Sequence, residues 1–93
     1  MIRKDRAKII EKAIGSVGRL RIMACLLCEE YMTKYGLERR TGLKPIDVRE
    51  NLKHLIEVKW VEELDYQPKK YKANRSKEEV VGLEEFLRKV GYI

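Results

Sequence analysis

The segment over residues 33–64 constrains the fold most, because two helix signals and a strand signal follow each other closely in it. Thr33 is a good helix N-cap, and Gly42 can adopt the left-handed conformation that ends a short helix. Pro45 suits the first turn of the next helix, because its missing N–H has no partner there in any case. Residues 60–64 then have the composition of a strand. The segment therefore predicts a short helix, a sharp turn, an amphipathic helix and a strand.

Two further helices are predicted on the N-terminal side of this segment. Asp5 opens an amphipathic stretch that ends near Gly15. Ser16 is the candidate cap of the next helix, which extends to about Tyr31. Its apolar residues lie nearly all round, so we expect it to be the central and most buried helix.

A hairpin and a last helix are predicted on the C-terminal side. Residues 66–69 are typical of a turn, and residues 71–73 of a returning strand. Ser76 and Glu79 form a candidate capping box, and Gly91 ends the helix that follows. A helix-turn-helix with a hairpin directly after it, where a wing would lie, is therefore predicted.

Length and charge limit the class of protein. A chain of 93 residues with 44% apolar residues fills one domain, which we place over 1–93. No uncharged run is long enough for a membrane span, and the N-terminus lacks the pattern of a signal peptide, so we expect a soluble cytoplasmic, nucleoid-associated protein. The excess of Lys and Glu over amides is the trend of hyperthermophile proteins.

The positive charge is concentrated in one place. The chain carries a formal charge of +6, and residues 66–77 hold five Lys and Arg with no acid. Such a local surplus attracts polyanions, although a solvated basic hairpin without a partner is an equally acceptable interpretation.

Four motifs occur in an order and spacing that is known from one family. They are residues 15–22 (GSVGRLRI), 41–43 (TGL), 48–55 (VRENLKHL) and 59–62 (KWVE). With them the chain resembles the winged helix-turn-helix regulators, nearest to the ArsR/MarR-like group that is common in archaea and also seen in their viruses. The resemblance covers roughly residues 15–75. It implies a mainly α fold with a small β-hairpin, helix-turn-helix over about 34–58, wing over about 60–74 and C-terminal helix over about 76–90.

By that resemblance the protein is a sequence-specific, double-stranded DNA-binding transcriptional regulator, and residues 45–58 form its recognition helix. Arg49 then pairs with guanine and Glu50 accepts from cytosine, while lysines and arginines nearby contact phosphates. The wing lysines reach the flanking backbone or the minor groove. The full set of expected DNA-binding residues is Arg39, Arg40, Lys44, Ile46, Asp47, Arg49, Glu50, Lys53, Lys69, Lys70 and Lys72.

Homodimerisation is expected through the terminal helices, which the family uses for that purpose. The apolar spacing of the last helix is that of a two-helix pairing, and the first helix offers a matching face. The expected interface residues are Ile9, Ile10, Ile14, Val80, Leu83, Leu87 and Val90. The alternative is that both helices only cover the core of their own chain.

Cys25 and Cys28 leave three interpretations open. They fill small apolar positions of a helix, they form a disulfide between subunits or take a redox role, or they bind a metal. A zinc site needs about four ligands, and the chain adds only His54 far away in sequence. Metal sensors of the ArsR-like group carry cysteines in the first helix of the helix-turn-helix, which here has none. We therefore expect no metal and no cofactor.

Other function classes receive less support from the sequence. One histidine, no Gly-rich phosphate loop and no nucleophile motif argue against an enzyme, and no small-molecule substrate is evident. Two alternatives to a specific regulator remain: a non-specific chromosomal DNA-binding protein and a winged-helix module that binds another protein.

Overall fold

The computed structural model of the chain describes Glu11 and residues 15–93. Within this part, four helices and three strands with defined bounds follow in the order α1, β1, α2, α3, β2, β3, α4. They are α1 (Val17–Cys28), β1 (Met32–Thr33), α2 (Lys34–Thr41), α3 (Pro45–Glu57), β2 (Val61–Leu64), β3 (Lys70–Ala73) and α4 (Glu78–Lys89). The predicted first helix lies almost entirely outside the described residues.

The three strands form one antiparallel sheet with β3 in the middle, in the order β1-β3-β2. Strands β2 and β3 form the predicted hairpin, with Glu62 opposite Lys72 and Glu63 opposite Tyr71. The turn between them contains a cis peptide bond between Gln67 and Pro68. Strand β1 was not predicted, because two residues that pair with a distant strand leave no periodic pattern in the sequence.

The core lies where α1 meets α3, α4 and the sheet. Helix α1 contributes six buried residues, which confirms that it is the central helix. Helix α3 adds its predicted stripe, and β3 adds Tyr71, whose side chain is almost fully buried. The largest fully buried side chains, apart from those of α1, are Tyr71, Leu37, Leu52, Leu87, Val48, Val61 and Val80.

Helix ends agree with the sequence at four positions and differ at two. Thr33 caps α2, Gly42 ends it in the left-handed conformation, Pro45 begins α3, and Gly91 follows α4 with a positive φ. Ser16 precedes α1 without a side-chain capping bond. The predicted capping box is wrong: α4 is preceded by Lys77, and the Ser76 hydroxyl donates instead to Asn74 Oδ1. That bond holds Ser76 in the loop, one residue too early to cap the helix.

A polar network ties the last residues of the chain to α1. Arg21 Nε and the Tyr92 hydroxyl both donate to Glu11 Oε2, at 3.0 and 2.7 Å. Arg21 Nη1 also donates to the Thr41 carbonyl oxygen at 3.4 Å. Burial and the neighbouring Glu11 carboxylate raise the pKa of the Tyr92 hydroxyl, so it stays a donor at neutral pH. The network connects α1 to the end of α2.

The predicted dimer interface on α4 needs a correction. Val80 and Leu87 have no exposed surface, because both point into the core of their own chain, so a partner cannot contact them. Leu83 and Val90 are half-buried. The remaining three residues of the predicted interface, Ile9, Ile10 and Ile14, lie outside the described residues.

Candidate nucleic-acid interface

The turn between α2 and α3 is fixed by its own side chains. The buried Thr41 hydroxyl donates to the Leu37 carbonyl oxygen at 2.6 Å and accepts from the Leu43 N–H at 3.2 Å. Gly42, at φ 73°, makes the change of direction that a residue with a Cβ rarely makes. The turn therefore sets the angle at which α3 leaves the body of the protein.

Helix α3 is seated on α1 by close packing at Gly18. Asn51 lies over Gly18, where an added Cβ would lie 2.5 Å from Asn51 Nδ2. Asn51 Nδ2 donates to the Asp47 carbonyl oxygen at 2.8 Å, so its side chain is held against its own helix. This packing places the opposite side of α3 toward solvent.

The predicted DNA-facing residues of α3 are all exposed. Ile46 has 54% of its surface exposed, which is unusual for an isoleucine at the start of a helix. Lys44, at the N-cap position, is exposed as well. The exposed predicted residues within α3 are Ile46, Asp47, Arg49, Glu50 and Lys53.

Arg39 and Arg40 of α2 have intramolecular partners. Arg39 Nη1 donates to the Tyr35 hydroxyl at 3.2 Å, and its guanidinium lies 5.7 Å from the ring centroid. Arg40 Nη1 pairs with Glu29 Oε1 at 2.8 Å. The partner of Arg39 is a hydroxyl group, whereas the charge of Arg40 is offset by a carboxylate.

Two of the three wing lysines are paired with acids of the opposite strand. Lys69 Nζ lies 2.6 Å from Glu63 Oε1, and Lys72 Nζ lies 3.5 Å from Glu62 Oε2. The hydrogen bond that Lys69 donates to the Glu63 carboxylate raises the pKa of Lys69. The excess charge that the sequence places on this hairpin is therefore largely offset within it.

The third wing lysine is held by aromatic rings. Lys70 Nζ lies 4.5 Å from the ring centroid of Tyr31 and 4.8 Å from that of Tyr66. The two rings are stacked, with centroids 6.4 Å apart. Cation–π contacts of this kind fix the wing against the loop that follows α1.

An open groove of about 370 Å³ runs between α3 and the wing. Its floor is made of Leu52, Ile56 and Tyr71, and five of its eight lining residues are charged. The charged ones are the cations Lys34, Arg49 and Lys53 and the acids Glu57 and Glu63. The Lys34 ammonium lies 5.9 Å from the centroid of the Tyr71 ring. The groove thus connects Lys34, the first residue of α2, with the exposed flank of α3.

The cations of this groove are not paired with any acid of the described residues. In the described part of the chain, no carboxylate oxygen lies within 4.0 Å of the charged nitrogens of Lys34, Arg49 or Lys53. Glu63, on the opposite wall, has Lys69 as its own partner. Arg49 and Lys53 were expected as DNA-binding residues, and the structure brings them together with Lys34.

Four residues of this surface were missed from the sequence: Lys34, Tyr35, Tyr31 and Tyr66. Lys34 and Tyr35 directly follow the Thr33 cap, so they occupy the first turn of α2, and 64% of Tyr35 is exposed. A lysine followed by a tyrosine in the first turn of α2 could have been recognised from the sequence as part of this surface. Tyr31 and Tyr66 meet only through the sheet, so no spacing in the sequence relates them.

The cysteines form no disulfide within the chain. Cys25 is half-buried against the core, and burial raises the pKa of its thiol, whereas Cys28 is exposed. Packing therefore accounts for Cys25, and a disulfide between subunits stays a prediction for which Cys28 is the accessible thiol. Over Glu11 and residues 15–93, no cluster of three metal-ligating side chains is found. No helix in that part of the chain is long and apolar enough to cross a bilayer.

Comparison with known proteins supports the fold. No family model matches the chain, and no curated protein matches its sequence. The structure is similar to the crystal structure of a MarR family transcriptional regulator from Silicibacter pomeroyi, with a TM-score of 0.70 at 14% identity. The match covers 88% of this chain and 62% of that chain. The predicted mainly α winged-helix fold is confirmed.

Proposed function

We propose that the protein is a double-stranded DNA-binding transcriptional regulator that places α3 in the major groove and the wing beside it. The observation that carries the proposal is the exposed side of α3, where Arg49 and Lys53 have no acid partner in the described part of the chain. An α-helix fits the major groove, and residues near its N-terminal end reach base edges. A winged helix with free cations on this helix is suited to that task.

Base recognition is assigned to the first turns of α3. Ile46 is placed to contact a thymine methyl group, and Glu50 to accept a hydrogen bond from a cytosine amino group. Asp47, one residue after Ile46, is exposed as well and offers a second acceptor. Lys44 and Arg39 flank these residues and are assigned to phosphates.

The two acids favour a specific regulator over a non-specific chromosomal protein. Asp47 and Glu50 repel phosphates, so they weaken binding wherever they do not find a cytosine amino group. A protein that binds DNA regardless of sequence gains affinity from phosphate contacts alone and has no use for acids on this surface. Their presence on the DNA-facing side of α3 supports a role in selecting the sequence.

We also propose that the regulator acts as a homodimer, with a different part of α4 in contact than the sequence indicated. Val81 and Phe86 are 40% and 46% exposed, on the two flanks of α4 beside its buried stripe. One small module buries roughly 600–1,000 Å² on DNA, and a second copy on the next half-site adds affinity and specificity together. Phe86→Glu should give a folded monomer in light scattering, and an unchanged dimer would place the interface elsewhere.

The test of DNA binding is fluorescence anisotropy with a mixed-sequence duplex at two salt concentrations, followed by selection of bound sites from random DNA. We expect binding that weakens steeply between about 50 and 200 mM salt, because bound phosphates release counterions. Selection should then enrich one motif. Absence of binding at the lower salt would contradict the proposal and favour a protein-binding module, and binding without an enriched motif would favour a chromosomal protein.

A further inference from the structure

We infer that the groove between α3 and the wing binds the sugar-phosphate backbone of DNA, and that Arg49 contacts a phosphate there and not a guanine. The inference rests on the proposed function and names the part of the duplex that occupies the groove. When a helix lies in the major groove and a wing reaches the adjacent minor groove, the DNA strand between the two grooves has to pass between them. In this protein the space between those two elements is the groove of about 370 Å³.

The lining of the groove fits a phosphate chain better than a small organic ligand. Sites for small molecules are lined mostly by apolar side chains, with a few polar groups that fix the orientation of the ligand. Here five of eight lining residues are charged, and the apolar ones form only the floor. Such a lining favours a ligand that carries its charge on the outside.

Three cations reach the groove from two helices, and none of them has an acid within 4.0 Å among the described residues. Arg49 and Lys53 lie one turn apart on α3, and Lys34 lies at the start of α2, above the Tyr71 ring. Charges held near one another without a counterion gain most from an anion that bridges them. Consecutive phosphates of one DNA strand are such an anion.

The two acids that line the groove, Glu57 and Glu63, indicate which part of it the phosphates occupy. Glu63 is offset by Lys69 at 2.6 Å, so the wall of the groove on the wing side is close to neutral. Glu57 lies one turn beyond Lys53, so the stripe Arg49, Lys53, Glu57 changes from positive to negative along α3. The phosphates are therefore expected over the first two residues of this stripe and not over the last.

Arg49 faces this groove together with the wing, whereas Glu50 does not line it. A side chain that lines the space between α3 and the wing is within reach of the strand between the two grooves, so we assign Arg49 to a phosphate of that strand. Base selection then falls on Ile46, Asp47 and Glu50. This assignment replaces the guanine contact that the resemblance implied.

The experiment compares Arg49→Gln/Lys53→Gln with the matched wing variant Lys69→Gln/Lys72→Gln. Circular dichroism and thermal unfolding first establish that both are folded. Binding is then measured over a salt series on the selected site and on mixed-sequence DNA. Each phosphate contact that is lost flattens the slope of log Kd against log salt by about 0.9. For the groove variant we expect this slope to decrease by about 1.8 on both duplexes. For the wing variant we expect a decrease of less than half that size.

Arg49→Lys separates a phosphate contact from a base contact. A lysine still neutralises a phosphate, but it does not replace the planar, two-pronged contact of an arginine with guanine. We expect this variant to keep the salt slope and the selected motif. Loss of preference at one base pair with an unchanged slope would overturn the inference, as would a groove variant with the slope of the unmodified protein.

Inorganic phosphate distinguishes DNA backbone from a small ion as the occupant. At matched ionic strength, phosphate should compete with DNA no better than chloride does, because a single ion does not span the cations of both helices. Strong competition that depends on Arg49 and Lys53 would make the groove a site for a small anion and overturn the inference. If the unmodified protein binds no duplex at any salt, the proposed function fails before this question arises.

Discussion

The wing and the exposed flank of α3 carry similar numbers of cations, but their surroundings differ. On the wing, Lys69 and Lys72 lie 2.6 and 3.5 Å from carboxylates, and Lys70 lies between two tyrosine rings and the solvent. On α3, Arg49 and Lys53 have no such acid partner in the described part of the chain. The charge that is available to a polyanion is therefore on the helix, although the sequence shows its densest positive charge on the wing.

The difference comes from the register of the hairpin. Residues 66–77 contain no acid, but Glu62 lies directly opposite Lys72. Glu63 lies opposite Tyr71 and pairs with Lys69, just before β3. Opposite charges on facing strands attract each other, so the acids of β2 offset the lysines near β3. The net charge of a segment thus describes its surface only when the strand that pairs with it is counted as well.

The largest expected effect concerns the scaffold that both regions share. Tyr71 is 2% exposed, belongs to the wing, and forms part of the floor of the groove. Tyr71→Ala should lower the free energy of unfolding by about 3–5 kcal/mol, because it leaves a cavity the size of an aromatic ring. Urea unfolding measures this loss. The control is Tyr66→Ala at the exposed end of the wing, for which we expect the free energy of unfolding to fall by about 0.5 kcal/mol. Equal losses in both variants would show that the wing and the groove do not rest on a common core.

The second prediction removes the difference between the wing and α3 by replacing the acids that pair with the wing lysines. Glu62→Gln/Glu63→Gln removes the acid partners of Lys72 and Lys69, so these lysines become available to phosphates. The slope of log Kd against log salt should steepen by up to about 1.8, while the free energy of unfolding changes by less than about 1 kcal/mol. Glu78→Gln/Glu79→Gln, which adds the same net charge on α4, is the matched control and should change the slope less. An unchanged slope would mean that pairing is not what keeps the wing lysines from DNA.

The third prediction concerns an ion pair on α4, outside the wing and α3. Glu84 accepts from Arg75 at 3.1 Å and from Arg88 at 3.0 Å, and these bonds lower the pKa of its carboxyl group below the ordinary 4.5. A lowered pKa in the folded state means that the stabilisation is present above about pH 5 and is lost as the pH falls through the folded-state pKa.

Glu84→Gln should therefore lower stability at neutral pH by about 1 kcal/mol or less and remove that part of the acid sensitivity. Chemical unfolding at several pH values measures both effects. Glu85→Gln, an exposed neighbour, is the control, and DNA binding should be the same in all three proteins. A variant that keeps the full acid sensitivity would contradict the role of this ion pair.

The smallest expected effect concerns the contact that seats α3. Gly18→Ala brings a methyl group 2.5 Å from Asn51 Nδ2, so the Asn51 side chain has to move and its 2.8 Å bond to Asp47 is weakened. We expect a loss of about 0.5–1 kcal/mol. With Asn51→Ala already present, the same change should be neutral or slightly stabilising, because alanine favours a helix over glycine. Equal effects in both backgrounds, in a double-mutant cycle, would show that the two residues are not coupled.

Much of the fold follows from local chemistry that the sequence displays. Thr33, Gly42 and Pro45 set the helix-turn-helix through a cap, a left-handed turn and a fixed φ, all of which act within a few residues. The stripe of α3 and the apolar α1 were also predictable, because helical periodicity identifies the buried side. Ser76 was misassigned because α4 begins one residue later than predicted, after Lys77, and Ser76 lies in the loop, where its hydroxyl donates to Asn74 Oδ1 at 2.6 Å.

The candidate site was less predictable because its contacts cross between elements. The partners of Lys69 and Lys72 depend on the register of β2 and β3, and the groove depends on how Lys34 and Tyr71 meet across the sheet. For α4, spacing alone treated Val80 and Leu87 as an interface, whereas the chain uses both to complete its own core. Periodicity shows which side of a helix is buried but not which surface buries it.

An NMR titration tests most directly whether DNA binds at α3 and the groove beside it. The backbone amides of the uniformly 15N-labelled protein are followed while a duplex containing the selected site is added at low salt. We expect the largest shift changes at residues 44–54 and at Lys34, with smaller changes at residues 69–72. Changes confined to the wing turn or to α4, with α3 unaffected, would show that DNA does not bind at α3.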